Sequence, residues 1–466
     1  MQFPCCILIN EMAMSASNPY WQEEAGVEVR GKVKMAPTME SATPYAWYVV
    51  AVLIVAYTFS FIDRQILTLL VGSIRATLKI SDFQLSLLHG FAFALFYSIL
   101  GIPIGRLVDS RKRTYIITAG IAVWSLMTAL CGLSRSFAQL FLARVGVGVG
   151  EAALSPGAYS LISDYFPPPQ RARALSLYIS AAYVGGGLAT IAGGALIARM
   201  RPLDLPILGH LEAWQCLFVV VGLPGLLAAL WVMTLREPVR RDVKVGMQPT
   251  FGEVLAHLAT QPKAYGRLIL GYALSGIMWN GSIAWIPTLF IRHFGWTASE
   301  VSLPYGLITI VSGTSGILTG GWISTRLRDR GLLDSNILLG LLAILIALPS
   351  GVLASLVGSA PLSLALFAVF LFGCAIPWGG AVAALQEITP NQMRGQVSAI
   401  YLFCLSLFGM GFGPTIVAAF TDHLFGNDAA LPKSMALTIG LSAPLAAILL
   451  WHARKPYRIA LAAVDF

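Results

Sequence analysis

Apolar runs of about twenty residues recur along the whole chain, at 46–72, 83–108, 114–134, 137–163, 174–198, 214–235, 266–291, 301–325, 336–357, 361–387, 396–420 and 435–452. A hydrocarbon layer roughly 30 Å thick is crossed by about 20 helical residues rising 1.5 Å each. Each run therefore predicts one membrane-spanning helix. The expected fold class is an all-α membrane protein with twelve transmembrane helices, which puts both termini on one side. Composition agrees: 57% of the 466 residues are hydrophobic and 11% charged, with mean hydropathy +0.74, against about 25% charged in soluble domains.

The breaks between runs orient the chain. Of the 31 Lys and Arg, 22 fall in the breaks that share a side with the termini, 7 on the other side, and Arg64 and Arg144 within runs. Cytoplasmic loops carry the basic excess, so both termini are expected in the cytoplasm, with the chain in a bacterial inner membrane. The net charge of +9 follows from this sorting and requires no nucleic-acid partner. Residues 1–44 lack a basic leader segment and are expected to be a disordered extension, with Met12, Met14 and Met35 as alternative starts. Cys5, Cys6, Cys131, Cys216, Cys374 and Cys404 are too scattered for a disulfide framework and are expected to be free thiols.

The longest inner break divides the runs six and six. Within it Thr250-Phe251-Gly252-Glu253 has the form of a capping box, predicting a short helix on the membrane surface. The halves repeat each other. DYFPPPQRARALSLY (164–178) aligns without a gap to EITPNQMRGQVSAIY (387–401), pairing Asp164 with Glu387, Pro167 with Pro390, Arg171 with Arg394 and Tyr178 with Tyr401. Gly105-x-x-x-Asp109 followed by Arg111, Lys112 and Arg113 is echoed by Gly321-x-x-x-Thr325 with Arg326, Arg328 and Arg330. The expected organisation is an extension (1–44), a six-helix half (45–235), a linker (236–264), a pseudo-symmetric second half (265–456) and a tail (457–466). Duplicated halves are an architecture of alternating-access carriers, with substrate held between them at mid-membrane.

Four charges lie inside the runs, where each costs at least roughly 2.5–3.5 kcal/mol unless it faces protein or water. Asp63 and Arg64 are in the first run. Arg144, Gly148 and Glu151, at i, i+4 and i+7 of the fourth, share one helical face. Asp63 and Arg144 are expected at similar depth, with Glu151 about 10 Å further along the fourth helix. The expected arrangement is a proton-coupling network of Asp63, Glu151, Arg64 and Arg144, with Asp63 paired to Arg144 or Arg64 and Glu151 free to exchange a proton. The rival reading, a static ion cluster that packs two helices, is an inefficient use of four buried charges. His89 is a further intramembrane titratable group. Glycines 146, 148, 150, 185, 186, 187, 193 and 194 predict close helix contacts.

The duplicated loops and twelve runs resemble the major facilitator superfamily. The stretch FIDRQILTLLVGSIRATLKISDFQLSLLHGFAFALFYSILGIPIGRLVDSRKR, followed by LFLARVGVGVGEAALSPGAYSLISDYFP, resembles the Spinster family of lysolipid and sphingolipid-phosphate transporters. The Arg144-x6-Glu151 pattern is also shared with organic-anion symporters. Asp109 with Arg111 and Arg113 is similar to the superfamily's cytoplasmic gating motif, with Ser110 where an arginine is usual, and implies a latch at the inner face.

The second half carries no charge deep in a run. Its candidate cavity groups are neutral or aromatic: Tyr272, Trp279, Asn280, Tyr305, Trp378 and Tyr401. With Arg64 and Arg144 opposite, such a site suits an amphiphile, its head on the charged wall and its chain on the aromatic one. The expected function is proton-coupled transport of lysophospholipid or sphingolipid-like molecules. Uptake of an organic anion or sugar acid, multidrug efflux, and a non-transporting sensor are the alternatives. No metal-ligand spacing, nucleotide loop or catalytic constellation is present in the sequence, so no cofactor, metal or enzymatic activity is expected, and the carrier is expected to act as a monomer.

Overall fold

In the computed structural model the described residues are 43–463, apart from 207–208, 241–248 and 391; the side chains of 102, 109, 168, 169, 172 and 205 also lie outside the description. The expectations for residues 1–42, Cys5 and Cys6 among them, and for the Asp109 side chain fall there. Residues 41–466 form one compact unit.

Twelve helices are long and apolar enough to cross a membrane: Pro44–Leu69 (span 1), Asp82–Gly101 (2), Arg113–Cys131 (3), Phe137–Tyr165 (4), Arg173–Ile197 (5), Ala213–Met233 (6), Pro262–Phe294 (7), Ala298–Asp329 (8), Ser335–Leu356 (9), Ala360–Glu387 (10), Arg394–Phe425 (11) and Asp428–Ala462 (12). Their starts are written in capping chemistry. Thr43 caps span 1 with Pro44 in the first turn. Ser81 and Gln84 form a capping box at span 2, as do Thr297 and Glu300 at span 8. Each satisfies amide groups that the first helical turn leaves unbonded. Thr250 and Glu253 likewise open the linker helix Phe251–Thr260, where the sequence predicts one. It buries Val254 and exposes Phe251 and Leu255. Span 12 runs on to Ala462, so most of the expected tail is helical. The short antiparallel pair β1 (Leu203–Leu205) and β2 (Gly209–Leu211) between spans 5 and 6 has no counterpart in the sequence reading.

The internal repeat has a structural meaning. Arg113, at the start of span 3, bonds Asp164 near the end of span 4. Asn336, in the first turn of span 9, the third helix of its half, donates Nδ2–H to Glu387 at 3.2 Å. Both carboxylates therefore tie the beginning of the third helix of a half to the end of the fourth. Arg328 and the Tyr457 hydroxyl also bond Glu387.

The halves meet through spans 5 and 8 and through spans 2 and 11. Where spans 5 and 8 cross, a Cβ on Gly187 would strike the Gly306 carbonyl oxygen, and one on Gly306 the Gly187 carbonyl oxygen. The expected glycine contacts are thus real at that crossing, which only hydrogen side chains permit. Spans 2 and 11 meet at two π-helical stretches, Leu87–Phe91 and Leu405–Phe412. There a Cβ on Gly90 would collide with the Met410 carbonyl oxygen.

Candidate functional site

Span 4 is broken where its charge sits. Its first segment ends at Glu151 and the second begins at Leu154. Pro156 is the physical reason: it has no N–H for the Ala152 carbonyl, so the regular ladder stops one turn before it. The break aims Glu151, only 2% exposed, at span 1.

There the carboxylate is gripped on one side. Glu151 Oε2 accepts hydrogen bonds from Ser60 Oγ at 2.6 Å and Arg64 Nε at 2.7 Å, and a further one from Arg64 Nη2. Oε1 is buried without a partner. Ser60 and Arg64 are four residues apart in span 1 and so lie on one face. The Arg64 guanidinium also sits over three rings, Phe93 at 4.4 Å, Phe61 at 5.3 Å and Tyr97 at 5.6 Å. Aromatic faces favour a partly desolvated cation. The Arg64 side chain remains 20% exposed, whereas that of Glu151 is 1% exposed, so the cation is the accessible member of the pair.

The pairing expected from sequence is corrected here. Arg64 pairs with Glu151, and Asp63 with neither arginine. Arg144 donates Nη1–H to the Asp63 backbone carbonyl at 3.2 Å and Nε–H to the Leu88 carbonyl at 3.4 Å. The expected common depth of Asp63 and Arg144 holds. The side chain of Asp63 is buried and within electrostatic reach of Glu151, Arg144 and Arg64. A period of 3.6 residues identifies the face each charge occupies but not the atom it meets, and a peptide carbonyl leaves no trace in a sequence. His89, in the π-helical stretch of span 2, has a buried Nε2 without a partner.

The aromatic wall forms only in part. Trp279 and Trp378 meet edge to face, their centroids 5.3 Å apart. Tyr183 of span 5 reaches both, at 6.5 and 5.8 Å, and so joins the halves. Tyr183 was missed because only charged and second-half residues drew attention. Trp378 is 36% exposed. The other candidates face elsewhere. Asn280 is buried, donating Nδ2–H to Gly276 O at 3.0 Å beside Gly409. Tyr305 and Tyr401 are 2% and 4% exposed. The Tyr305 hydroxyl bonds the Ile283 carbonyl at 3.4 Å, while Tyr401 and Tyr272 contact edge to face.

Of the gating candidates, Arg113 is buried among Asp164 and Ser160 of its own half and Glu237 of the linker. Arg111 is exposed, its carbonyl accepting from Arg240 at 2.7 Å. The ionic contacts that do join the halves are at the opposite end of the bundle. Buried Asp82 takes both Nη groups of Arg292, at 2.6 and 2.8 Å. Arg75 bridges Asp82 at 3.1 Å and Asp428 at 2.6 Å, and the Phe83 amide donates to Asp422 at 2.7 Å. These hydrogen bonds and ion pairs between the halves gather at this end, away from the termini. The carrier is latched there. Asp82, Asp422 and Asp428 form an acidic cluster, whose charge Arg75 and Arg292 offset in part.

Twelve spans in two linked halves, closed at one end around an intramembrane ion pair, define a multi-pass membrane carrier. Residues 53–414 match the family described as the Major Facilitator Superfamily, and the chain belongs to it. It is 29% identical to an MFS-type efflux pump of Mycolicibacterium smegmatis, across 89% of this chain and 94% of that one. It is 32% identical to human protein spinster homolog 1 over 300 residues, 60% of this chain and 54% of that protein. The hexuronate transporter of Bacillus subtilis is 24% identical over 80% of this chain and 88% of its own. The crystal structure of a bacterial homologue of the human lysosomal transporter Spinster, inward-facing and unoccupied, superposes with a TM-score of 0.74 at 29% identity, covering 90% of this chain and 98% of that one. Within the superfamily the chain is similar to Spinster homologues in sequence and in structure.

Proposed function

We propose that this transporter carries a lysophospholipid or sphingolipid-like amphiphile by alternating access, coupled to protons, from an inner membrane in which both termini are cytoplasmic. One observation supports this above others: Arg64 is partly exposed and ring-stacked, yet held by a buried carboxylate. An anionic head competes with Glu151 for the same guanidinium. A proton arriving on Glu151 releases Arg64 to that head, so proton and anion occupancy favour each other. Asp63 serves as the second acid of the network and Arg144 as the strut that holds its backbone. The Trp279–Trp378–Tyr183 cluster supplies an apolar wall for the chain of the amphiphile.

Efflux is the second reading, favoured by the similarity to a mycobacterial efflux pump over nearly its full length. Both readings are tested together in proteoliposomes. Lysophospholipid, sphingoid phosphate and hexuronate are offered with and without an inward or outward proton gradient. Gradient-dependent movement of the lysolipid, lost in Arg64→Ala, is the expected result. Movement of hexuronate alone overturns the amphiphile reading, and lysolipid movement indifferent to the gradient overturns the coupling.

A further inference from the structure

A second feature lies on the outer surface of the first half. Spans 3 and 4 and the helix that continues span 2 to Ser110 border a groove of about 560 Å³, within the size range of small-molecule sites. Arg111 and Lys112 stand at its mouth; Tyr115, Val123 and Ala153 line it, and Gly150 forms part of its floor. None of its lining residues is acidic. Lys112 Nζ lies 5.3 Å from the centre of the Tyr115 ring, and both cationic side chains are exposed. The floor exists because Gly120 and Gly150 touch: a Cβ on either would strike the carbonyl oxygen of the other.

The depth of this groove matches one leaflet. From Lys112 to Val123 span 3 rises about 16 Å at 1.5 Å per residue, roughly half of a 30 Å hydrocarbon core. A site with two cations at the membrane surface and an apolar trough reaching the midplane fits an anion joined to an acyl chain. Basic residues next to a membrane helix attract anionic lipid head groups.

We propose that this groove seats an anionic phospholipid of the surrounding bilayer, its phosphate on Arg111 and Lys112 and its chain against the Gly120–Gly150 contact. That contact backs onto the break in span 4, so the lipid lies behind Glu151 and outside the carrier's own cavity. The assignment is independent of what the carrier transports.

The test uses the full chain in nanodiscs containing a photoreactive phosphatidylglycerol or phosphatidylcholine with the label near the chain end. Phosphatidylglycerol is expected to mark the segments around Ala119–Val123 and Val149–Ala153 about thirtyfold more than phosphatidylcholine does, the scale of two interfacial cations. Arg111→Ala with Lys112→Ala should reduce that labelling to the phosphatidylcholine level. Ala119→Trp, at an exposed position on the groove wall, should abolish it for both lipids. Inorganic phosphate in solution should leave it unchanged. Equal labelling by the two lipids, labelling that survives Ala119→Trp, or displacement by free phosphate would overturn the assignment.

Discussion

Arg64 places two of its N–H donors on a single oxygen of Glu151 and leaves the other oxygen buried and empty. A static ion pair built for stability would use both oxygens, since fork-to-fork geometry satisfies more lone pairs. The one-sided grip leaves a lone pair free to receive a proton without first breaking the contact to Ser60. It also leaves Arg64 able to turn toward a second anion. This asymmetry supports the proposed proton-exchanging role over a packing device.

The first prediction follows. Glu151→Gln keeps the shape and the Ser60 contact but removes the group to which the proposed coupling assigns the proton. Insertion and expression should persist, while uptake driven by a pH gradient should fall to background. Counterflow, which requires no net proton movement, should survive in part. Side-by-side gradient-driven and counterflow assays in vesicles make the distinction, and unchanged pH-driven uptake would refute the role.

The latch makes the second prediction. Removing one member of a buried ion pair costs about 3–5 kcal/mol, because the other stays behind uncompensated. Asp82 is fully buried, so Arg292→Ala leaves it with Arg75 alone. Two carrier states typically differ by a few kcal/mol, so this loss is large enough to reverse their populations. Spin labels at the ends of spans 2 and 11 away from the termini should show longer distances in Arg292→Ala, together with accessibility changes at Tyr183. Unaltered distance distributions would mean the ionic contacts follow closure rather than hold it.

These two sites differ in how far the sequence disclosed them. Asp63, Arg64, Arg144 and Glu151 stand out because a charge within twenty apolar residues is costly, and the helical period alone puts Glu151 on the same face as Arg144. The repeat pairs Asp164 with Glu387, and each meets the start of the third helix of its own half. Arg75, Asp82, Arg292, Asp422 and Asp428 were unreadable for the opposite reason. Each stands at a helix end or loop, where charge is ordinary, and Asp82 is 210 residues from Arg292. Nothing in a linear pattern marks two such ends as neighbours. The π-helical stretches in spans 2 and 11 are similarly silent, since Leu, Phe and Gly sequences also form regular helix.

Gly90 supplies the third prediction. A methyl group there has no room beside the Met410 carbonyl, a backbone atom that cannot rotate away. Gly90→Ala should therefore separate spans 2 and 11, slow transport severely and favour the state open at the latched end. Gly440→Ala is the control, because nothing lies within 4 Å of its added Cβ, and surface changes of this kind usually stay within about 0.5 kcal/mol. Transport rates and cross-linking between spans 2 and 11 report both. A Gly90→Ala carrier with normal turnover would show that the π-helical contact is dispensable.

The acidic clusters at the termini end give the last prediction. Glu237 is half-buried, which opposes its ionisation, but hydrogen bonds from Arg113 Nε at 2.6 Å and the Thr114 amide at 3.2 Å outweigh burial and hold it below its usual 4.5. Asp334 is likewise opposed by burial, yet Arg454 at 2.6 Å and Arg458 at 2.8 Å keep it below 3.8. A carboxylate whose folded value is depressed adds stability that is fully present above its unfolded value and disappears as pH falls through the folded one. Both clusters should thus contribute fully at pH 7 and fade only below about pH 4.5 for Glu237 and about pH 3.8 for Asp334. Asp334→Asn removes the charge that two arginines share, at a cost of about 2 kcal/mol at neutral pH, the scale of a hydrogen bond to a charged group. Its melting temperature should lie below that of the unaltered protein at pH 7, and the gap should close as pH falls below 3.8. Glu237→Gln should behave in the same way below pH 4.5. Parallel melting curves that keep a constant gap from pH 7 to pH 3 would show that the carboxylates are not ionised contributors to the fold.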